Sequence, residues 1–376
     1  MYFFKIDPSL LSVHIASKQM QNCIIYVNNF SESKKKLREH NVEIIGEYPF
    51  IRAFAIKSNT TNIYDLARVT WVDYISSVAT ANALMFDARK KINVDALHQR
   101  GILGTGVGVA VIDTGCYPHL DFLIGHNRVV KFVDLINEKK EMYDDNGHGT
   151  FVAGVLAGSG LSSAGKFCGV APNCRLFVLK ALNNDGQTQA FKVLDAMQWI
   201  FENRKRYNIQ VVCMSFGSTP LARNDPLSIG AGSLWDAGVV VVSAVGNDGP
   251  KAETVKSPGS CSKIITVGCA DTTGNEIKIA DFSSRGPIFD IVKPDLIAPG
   301  VNITSLSNNK KMLTQMTGSS VSAPFVAGVV ALLLEQNPYL TPNQIKSIIM
   351  YSARRLNFPP NDCGMGLVDA KNAFEF

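Results

Sequence analysis

From residue 104 onward the chain repeats one pattern: a short apolar run bounded by glycine, then a longer stretch with helical spacing. The runs at 107–112, 176–181, 211–215, 239–244 and 264–268 read as strands and carry almost no polar alternation. A strand with one solvated face alternates apolar and polar residues. A run that is apolar throughout is covered on both faces, as in a parallel sheet. The stretches at 188–207, 321–336 and 342–353 read as helices; Phe191, Leu194, Met197, Trp199 and Ile200 supply the apolar positions of the first. Strand–helix alternation of this kind predicts an α/β domain with a doubly wound, mostly parallel sheet. The longest apolar runs, 239–242 and 329–334, are far too short to span a bilayer.

The N-terminal region has a different texture. Residues 22–28 read as a strand, 31–40 as a helix, 43–47 and 50–57 as strands, 60–69 as a helix and 71–76 as a strand. The order β-α-β-β-α-β predicts a small α+β, ferredoxin-like unit. Residues 1–21 form an extension without an assignable role. The stretch Val78-Ala79-Thr80-Ala81-Asn82-Ala83 is small, polar and unpatterned, as an exposed, cleavable linker would be. The expected organisation is therefore an extension at 1–21, a small domain at 22–83 and a large one at 84–376. A length of 376 residues with 46% hydrophobic side chains suits two folded domains.

Charge and cysteine usage exclude several classes. A net charge of +5 over this length is too small to argue for nucleic acid as a partner. The densest basic cluster, Lys34, Lys35, Lys36 and Arg38, reads as a solvated helix face. The opening Met1-Tyr2-Phe3-Phe4 is broken at once by Lys5, Asp7 and Pro8, so it does not read as a secretory signal. The expectation is a cytoplasmic protein without membrane partners. The eight cysteines form no C-x-x-C pair. They are expected to be free and largely buried thiols, and no Cys/His cluster has zinc-ligand spacing.

Three segments carry chemistry. Asp113 ends an apolar run, followed by Thr114-Gly115, which puts a carboxylate at the carboxyl end of a parallel strand, where ligands bind in such sheets. His148 stands between Gly147 and Gly149 at the start of a small-residue helix. Ser320, in Gly318-Ser319-Ser320-Val321-Ser322-Ala323-Pro324, sits at a helix N-terminus, where free N–H groups favour developing negative charge. Pro324 is expected in the first helical turn, where it is tolerated. Each segment alone has a plainer reading: a strand-end acid, a solvated histidine, a serine cap. Together, in the order Asp, His, Ser, they resemble the subtilisin-like proteases, across roughly residues 95–370.

That resemblance implies a serine endopeptidase made as a precursor. Ser320 would attack the peptide carbonyl, His148 would shuttle the proton, and Asp113 would hold the imidazole. Asn247, in the loop after the run at 239–243, would supply an oxyanion donor. Ser215, Phe216, Gly217, Ala244 and Gly246, with Gly186 on the opposite edge, would bind extended polypeptide by strand addition. Lys256 stands where many relatives have glycine, which implies a shallower pocket or one that tolerates an acidic or polar residue. No cofactor is required. The stretch 159–167 lacks the oxygen ligands of the usual high-affinity calcium loop, and Asp121 resembles one ligand position without its partners; calcium at a weaker site is left open. The unit at 22–83 resembles the family's inhibitory prodomain, an intramolecular partner removed by self-cleavage near 80–86. Two alternatives stand beside this reading: a processing protease dedicated to one peptide, and a prodomain-silenced or peptide-binding pseudoprotease.

Overall fold

The computed structural model describes residues 5–7, 10, 20–40, 42–77, 87–220, 225–310 and 312–376. The linker at 78–83, the self-cleavage window at 80–86 and most of the extension at 1–21 lie outside these residues. Contacts divide the chain into two compact units, Met1–Asn82 and Ala83–Phe376.

The first unit is built from strand β1 (Met20–Val27), helix α1 (Phe30–Glu39), β2 (Glu43–Tyr48), β3 (Ala53–Asn59), helix α2 (Thr60–Arg68) and β4 (Val72–Ser77). The sheet order is β2-β3-β1-β4 with every pair antiparallel, which is the ferredoxin-like arrangement. Alternate residues of β1 point inward: Cys23, Ile25 and Val27 are buried with Phe54, Ile56, Leu37, Ile63 and Leu66. Asn29 and Asn59 cap the two helices, accepting from the amides of Glu32 and Asn62. β3 begins later than the apolar pattern suggests, because Pro49–Ile51 forms a tight helical turn closed by Arg52 in the left-handed region. Residues before β1 also contribute. Ile6 and Leu10 are buried in this core, and Ile6 bridges in parallel to Ile75.

The second unit holds β5 (Gly108–Asp113), β6 (Val129–Asp134), β7 (Arg175–Lys180), β8 (Ile209–Met214), β9 (Val240–Ala244), β10 (Ile265–Asp271), the short antiparallel β11 (Lys278–Ile279) and β12 (Leu296–Pro299). The order is β11-β10-β9-β8-β5-β7-β6, with β12 also parallel to β10. All six residues of β5 are buried, so both faces of the sheet are covered there. Helices α3 (His148–Ala157) and α6 (Ser319–Gln336) pack on each other, and α6 lies on β8, β9, β10 and β12. Helices α4 (Ala190–Tyr207) and α5 (Pro226–Asp236) pack together and onto β5, β8 and β9. Helix α7 (Pro342–Tyr351) and a hairpin of β13 (Ile303–Leu306) and β14 (Leu313–Met316) complete the main elements. From β5 the chain winds one way to β7 and β6 and the other way to β8, β9 and β10. The carboxyl end of β5 is therefore the switch point at which such sheets open a ligand crevice.

Helix α6 is apolar on all sides. Among the described residues it alone is long and apolar enough to cross a membrane, but it is enclosed by the sheet and α3, as a central core helix must be. It starts at Ser319, two residues earlier than the apolar pattern suggests, so Pro324 lies inside the helix and not in its first turn. The missing N–H of Pro324 removes the α-helical donor to the Ser320 carbonyl. All eight cysteines are free and six are buried. Burial pushes the Cys213 and Cys269 thiols up to about 12, which keeps them unreactive.

Candidate active site

Asp113 is fully buried at the end of β5. Its Oδ1 accepts the Thr114 amide at 2.7 Å and His148 Nδ1 at 2.7 Å. Oδ2 has no hydrogen-bond partner among the described residues, so the imidazole is the principal group answering this charge. Donation from Nδ1 fixes the tautomer and leaves Nε2 as the acceptor. Burial draws the imidazole's proton affinity down, but the Asp113 carboxylate, with Asp144 behind it, outweighs burial and holds the His148 pKa above its ordinary value.

The start of α3 is held by a buried acid whose part the sequence did not disclose. Asp144 Oδ1 accepts from Thr114 Oγ1 at 2.9 Å, from the Gly147 amide at 2.8 Å and from the Asn146 amide at 3.1 Å. Its Oδ2 accepts from the Thr150 amide at 2.8 Å and from Thr150 Oγ1 at 2.6 Å. This one carboxylate fastens the loop, the helix N-terminus and the turn after Asp113. The only prior signal was an acid four residues before the histidine. Gly149 is required by close approach: a β-carbon there would lie 2.2 Å from the Gly115 carbonyl oxygen.

The other half of the site joins the loop after β9 to the start of α6. Ser319 Oγ donates to the Gly246 carbonyl at 2.9 Å, and the Ser319 amide donates to Asn247 Oδ1 at 2.9 Å. With Oδ1 committed, the exposed Asn247 directs its Nδ2 donor elsewhere. Ser320 Oγ and Asn247 Nδ2 border one point, lying 3.2 Å and 3.4 Å from where a Gly318 β-carbon would be. Ser319 is thus the residue that ties Asn247 to the helix. Sequence reading passed over it because a run of serines offers no distinction among its members.

Gly217, Gly246 and Lys256 meet: the Lys256 stem lies against both glycines. Ser215 and Ala244 are buried beneath, and Phe216 is half-buried against the core. Gly186 sits apart from these, at the tip of a turn closed by Asn183 and tied to the His148 loop by Asn146 Nδ2 donating to the Asn184 carbonyl at 2.9 Å. Among the described residues, no group of three or more His, Cys, Asp or Glu could hold a metal. Around Asp121, burial raises the carboxyl's pKa, but the adjacent His119 side chain and the Ser162 amide, donating at 2.9 Å, outweigh this and hold it below its usual range.

A carboxylate–imidazole pair at the switch point, with a serine helix start and an amide donor at the same carboxyl edge of the sheet, suits a hydrolase of the serine peptidase class, although no hydrogen bond joins His148 to Ser320. Residues 104–366 match the model of the subtilase family. The chain is 38% identical over 298 residues to serine protease AprX of Bacillus subtilis, covering 72% of this chain and 67% of that protein. It is 31% identical over 362 residues to a thermostable alkaline protease of Halalkalibacterium halodurans, covering 95% of this chain and 93% of the relative. The solved structure of a cold-adapted subtilisin-like serine proteinase superposes with a TM-score of 0.58 at 28% identity, covering 71% of this chain and 88% of the other. The chain belongs to the subtilase family and is a subtilisin-like serine endopeptidase.

Proposed function

We propose that this endopeptidase cuts extended polypeptide through an acyl-enzyme on Ser320. His148 Nε2 takes the hydroxyl proton as the oxygen attacks the peptide carbonyl, then delivers it to the leaving amine. Asp113 keeps the imidazole oriented and stabilises its protonated form. Asn247 Nδ2 and the Ser320 amide stabilise the oxyanion. Water then releases the acyl group by the same steps in reverse. The observation that carries this reading is the 2.7 Å bond from His148 Nδ1 to Asp113 Oδ1, which leaves Nε2 as a base. Phe216, Gly217 and Gly246 on one side, and Gly186 on the other, would line the extended substrate, whereas Ser215 and Ala244, expected from the sequence to join them, are buried behind.

The first unit acts as an inhibitory prodomain that also assists folding, removed by self-cleavage. Its ferredoxin-like topology and the relative aligned over 95% of the chain support this reading. A parallel sheet closed by distant strand pairs folds slowly, and a preformed partner lowers that barrier. The enzyme works without a required cofactor, in the cytoplasm, on unfolded or extended polypeptide. Incubating the purified chain and sequencing its products tests the proposal. A new N-terminus between residues 80 and 86, absent in Ser320→Ala, is expected; an intact chain that nevertheless hydrolyses peptides would remove the self-cleavage step.

A further inference from the structure

We propose that Lys256 sets the residue preference at the cleaved bond by filling the slot between Gly217 and Gly246, so that glycine, alanine or serine is accepted there and large side chains are refused. The inference rests on the protease reading above and deepens it.

The backbone of Lys256 cannot move aside. Its amide donates to the Val245 carbonyl at 2.9 Å, and the neighbouring Ser257 exchanges bonds with Ser218 at 2.8 Å and 2.9 Å. Below it, Ser257 Oγ donates to the buried Asp225, whose Oδ1 also caps helix α5 through the Leu227 amide at 3.0 Å. The Lys256 β-carbon is therefore held in place by its own main chain.

The stem then crosses the slot. A β-carbon built on Gly217 would lie 2.6 Å from Lys256 Cβ and 3.2 Å from Cγ, and one on Gly246 would lie 2.5 Å from Cγ. The same two methylene carbons bear on both walls. Swinging the ammonium group outward would leave Cβ where it is, so the Gly217 side of the slot stays filled, and clearing Cγ from the Gly246 side requires a change of χ1. The head is also tethered, with Nζ at 2.5 Å from Asp248 Oδ2 and 3.0 Å from Thr219 Oγ1. Because Asp248 answers the ammonium charge, the slot offers no net attraction to an acidic side chain.

The same preference would act on the chain's own linker. Within residues 80–86, Ala81 and Ala83 are small, whereas 84–86 are Leu84, Met85 and Phe86. Self-cleavage is expected after Ala81 or Ala83.

The test is cleavage of a mixed peptide library by the purified chain and by three variants, each titrated with a fluorophosphonate to count working sites. The unsubstituted enzyme should cut after Ala at least about tenfold faster than after Phe or Leu, the scale on which a pocket's size discriminates. Lys256→Gly should reverse that ratio. Lys256→Met, which keeps a stem without the charge, should keep it. Asp248→Asn should gain cleavage after Asp and Glu. Full labelling with equal cleavage after Ala and Phe, or an unchanged ratio in Lys256→Gly, would overturn the Lys256 assignment alone. Absence of labelling at Ser320 in the unsubstituted enzyme would overturn this inference and the protease mechanism together.

Discussion

The first unit covers one face of an antiparallel sheet with two helices, whereas the second buries a parallel sheet on both faces. In the first, β1 alternates buried and more exposed residues and pairs with β3 and β4, all within Met20–Ser77. In the second, β5 is buried throughout and pairs with β7 and with β8, which begins at Ile209. The difference bears directly on function. Parallel strands bring their carboxyl ends to one edge, and there the turn after β5, the loop after β9 and the starts of α3 and α6 come together. An antiparallel sheet alternates its strand ends and builds no such edge. Chemistry is therefore assigned to the second unit, which is also the part that matches the subtilase family.

The sharpest way to break that division is Ser320→Ala. Peptide hydrolysis should fall by a factor on the order of a million, the loss measured when subtilisin's own serine is removed. The isolated far-ultraviolet spectrum should not change. Asp113→Asn should lower turnover by about 10,000-fold, because it reverses the donor and acceptor roles at His148 Nδ1. The pH profile carries a related sign. Since Asp113 holds the His148 pKa above the ordinary value of about 6.5, kcat/KM should rise with pH through an inflection above that value, and Asp113→Asn should move the inflection down. The same raised pKa stabilises the fold below about pH 6.5, and that contribution fades as pH climbs past the folded-state value. Asn247→Ala should lower turnover by about 100- to 1,000-fold with little change in KM, a magnitude taken from the corresponding asparagine of subtilisin.

Unfolding measurements sharpen the comparison from the other side. They are best made on Ser320→Ala, so that the proposed self-cleavage cannot remove the first unit. Phe54 is fully buried, with its ring stacked 4.3 Å from that of Phe30, and Phe54→Ala should cost the first unit about 3–5 kcal/mol. Urea unfolding followed at Trp71, the only tryptophan of that unit, reports it. Asp144→Ala leaves several buried donors unpaired and should destabilise the second unit by about 1–3 kcal/mol, read at Trp199 and Trp235. A single transition that shifts equally for both substitutions would deny the two units separate cores.

Much of this architecture was legible in the sequence because its strongest signals are local. The apolar runs at β5, β7, β8 and β9 and the capped helices of the first unit follow from periodicity and end residues. Other elements escaped for physical reasons. β6 has Val130 and Lys131 facing solvent, so its edge position blurs the buried-strand pattern. Helix α5 carries Gly230 and Gly232, poor helix formers that tertiary packing overrides. β12 is four residues long and is recognised only by its pairing with β10. At the site, Asp113, His148, Asn247 and Ser320 stand out by their contexts. Ser319 acts through bonds to groups remote in sequence, whereas Asp144 binds mostly within its own turn and reaches Thr114 besides, and nothing in the local sequence distinguishes a bracing acid from a solvated one.

The most direct test of the account is peptide mapping after fluorophosphonate treatment of the chain. The account predicts one adduct, on Ser320, formed faster as pH rises through the His148 inflection and lost in His148→Ala. An adduct on another serine, or labelling of Ser320 that is indifferent to both pH and His148, would contradict it.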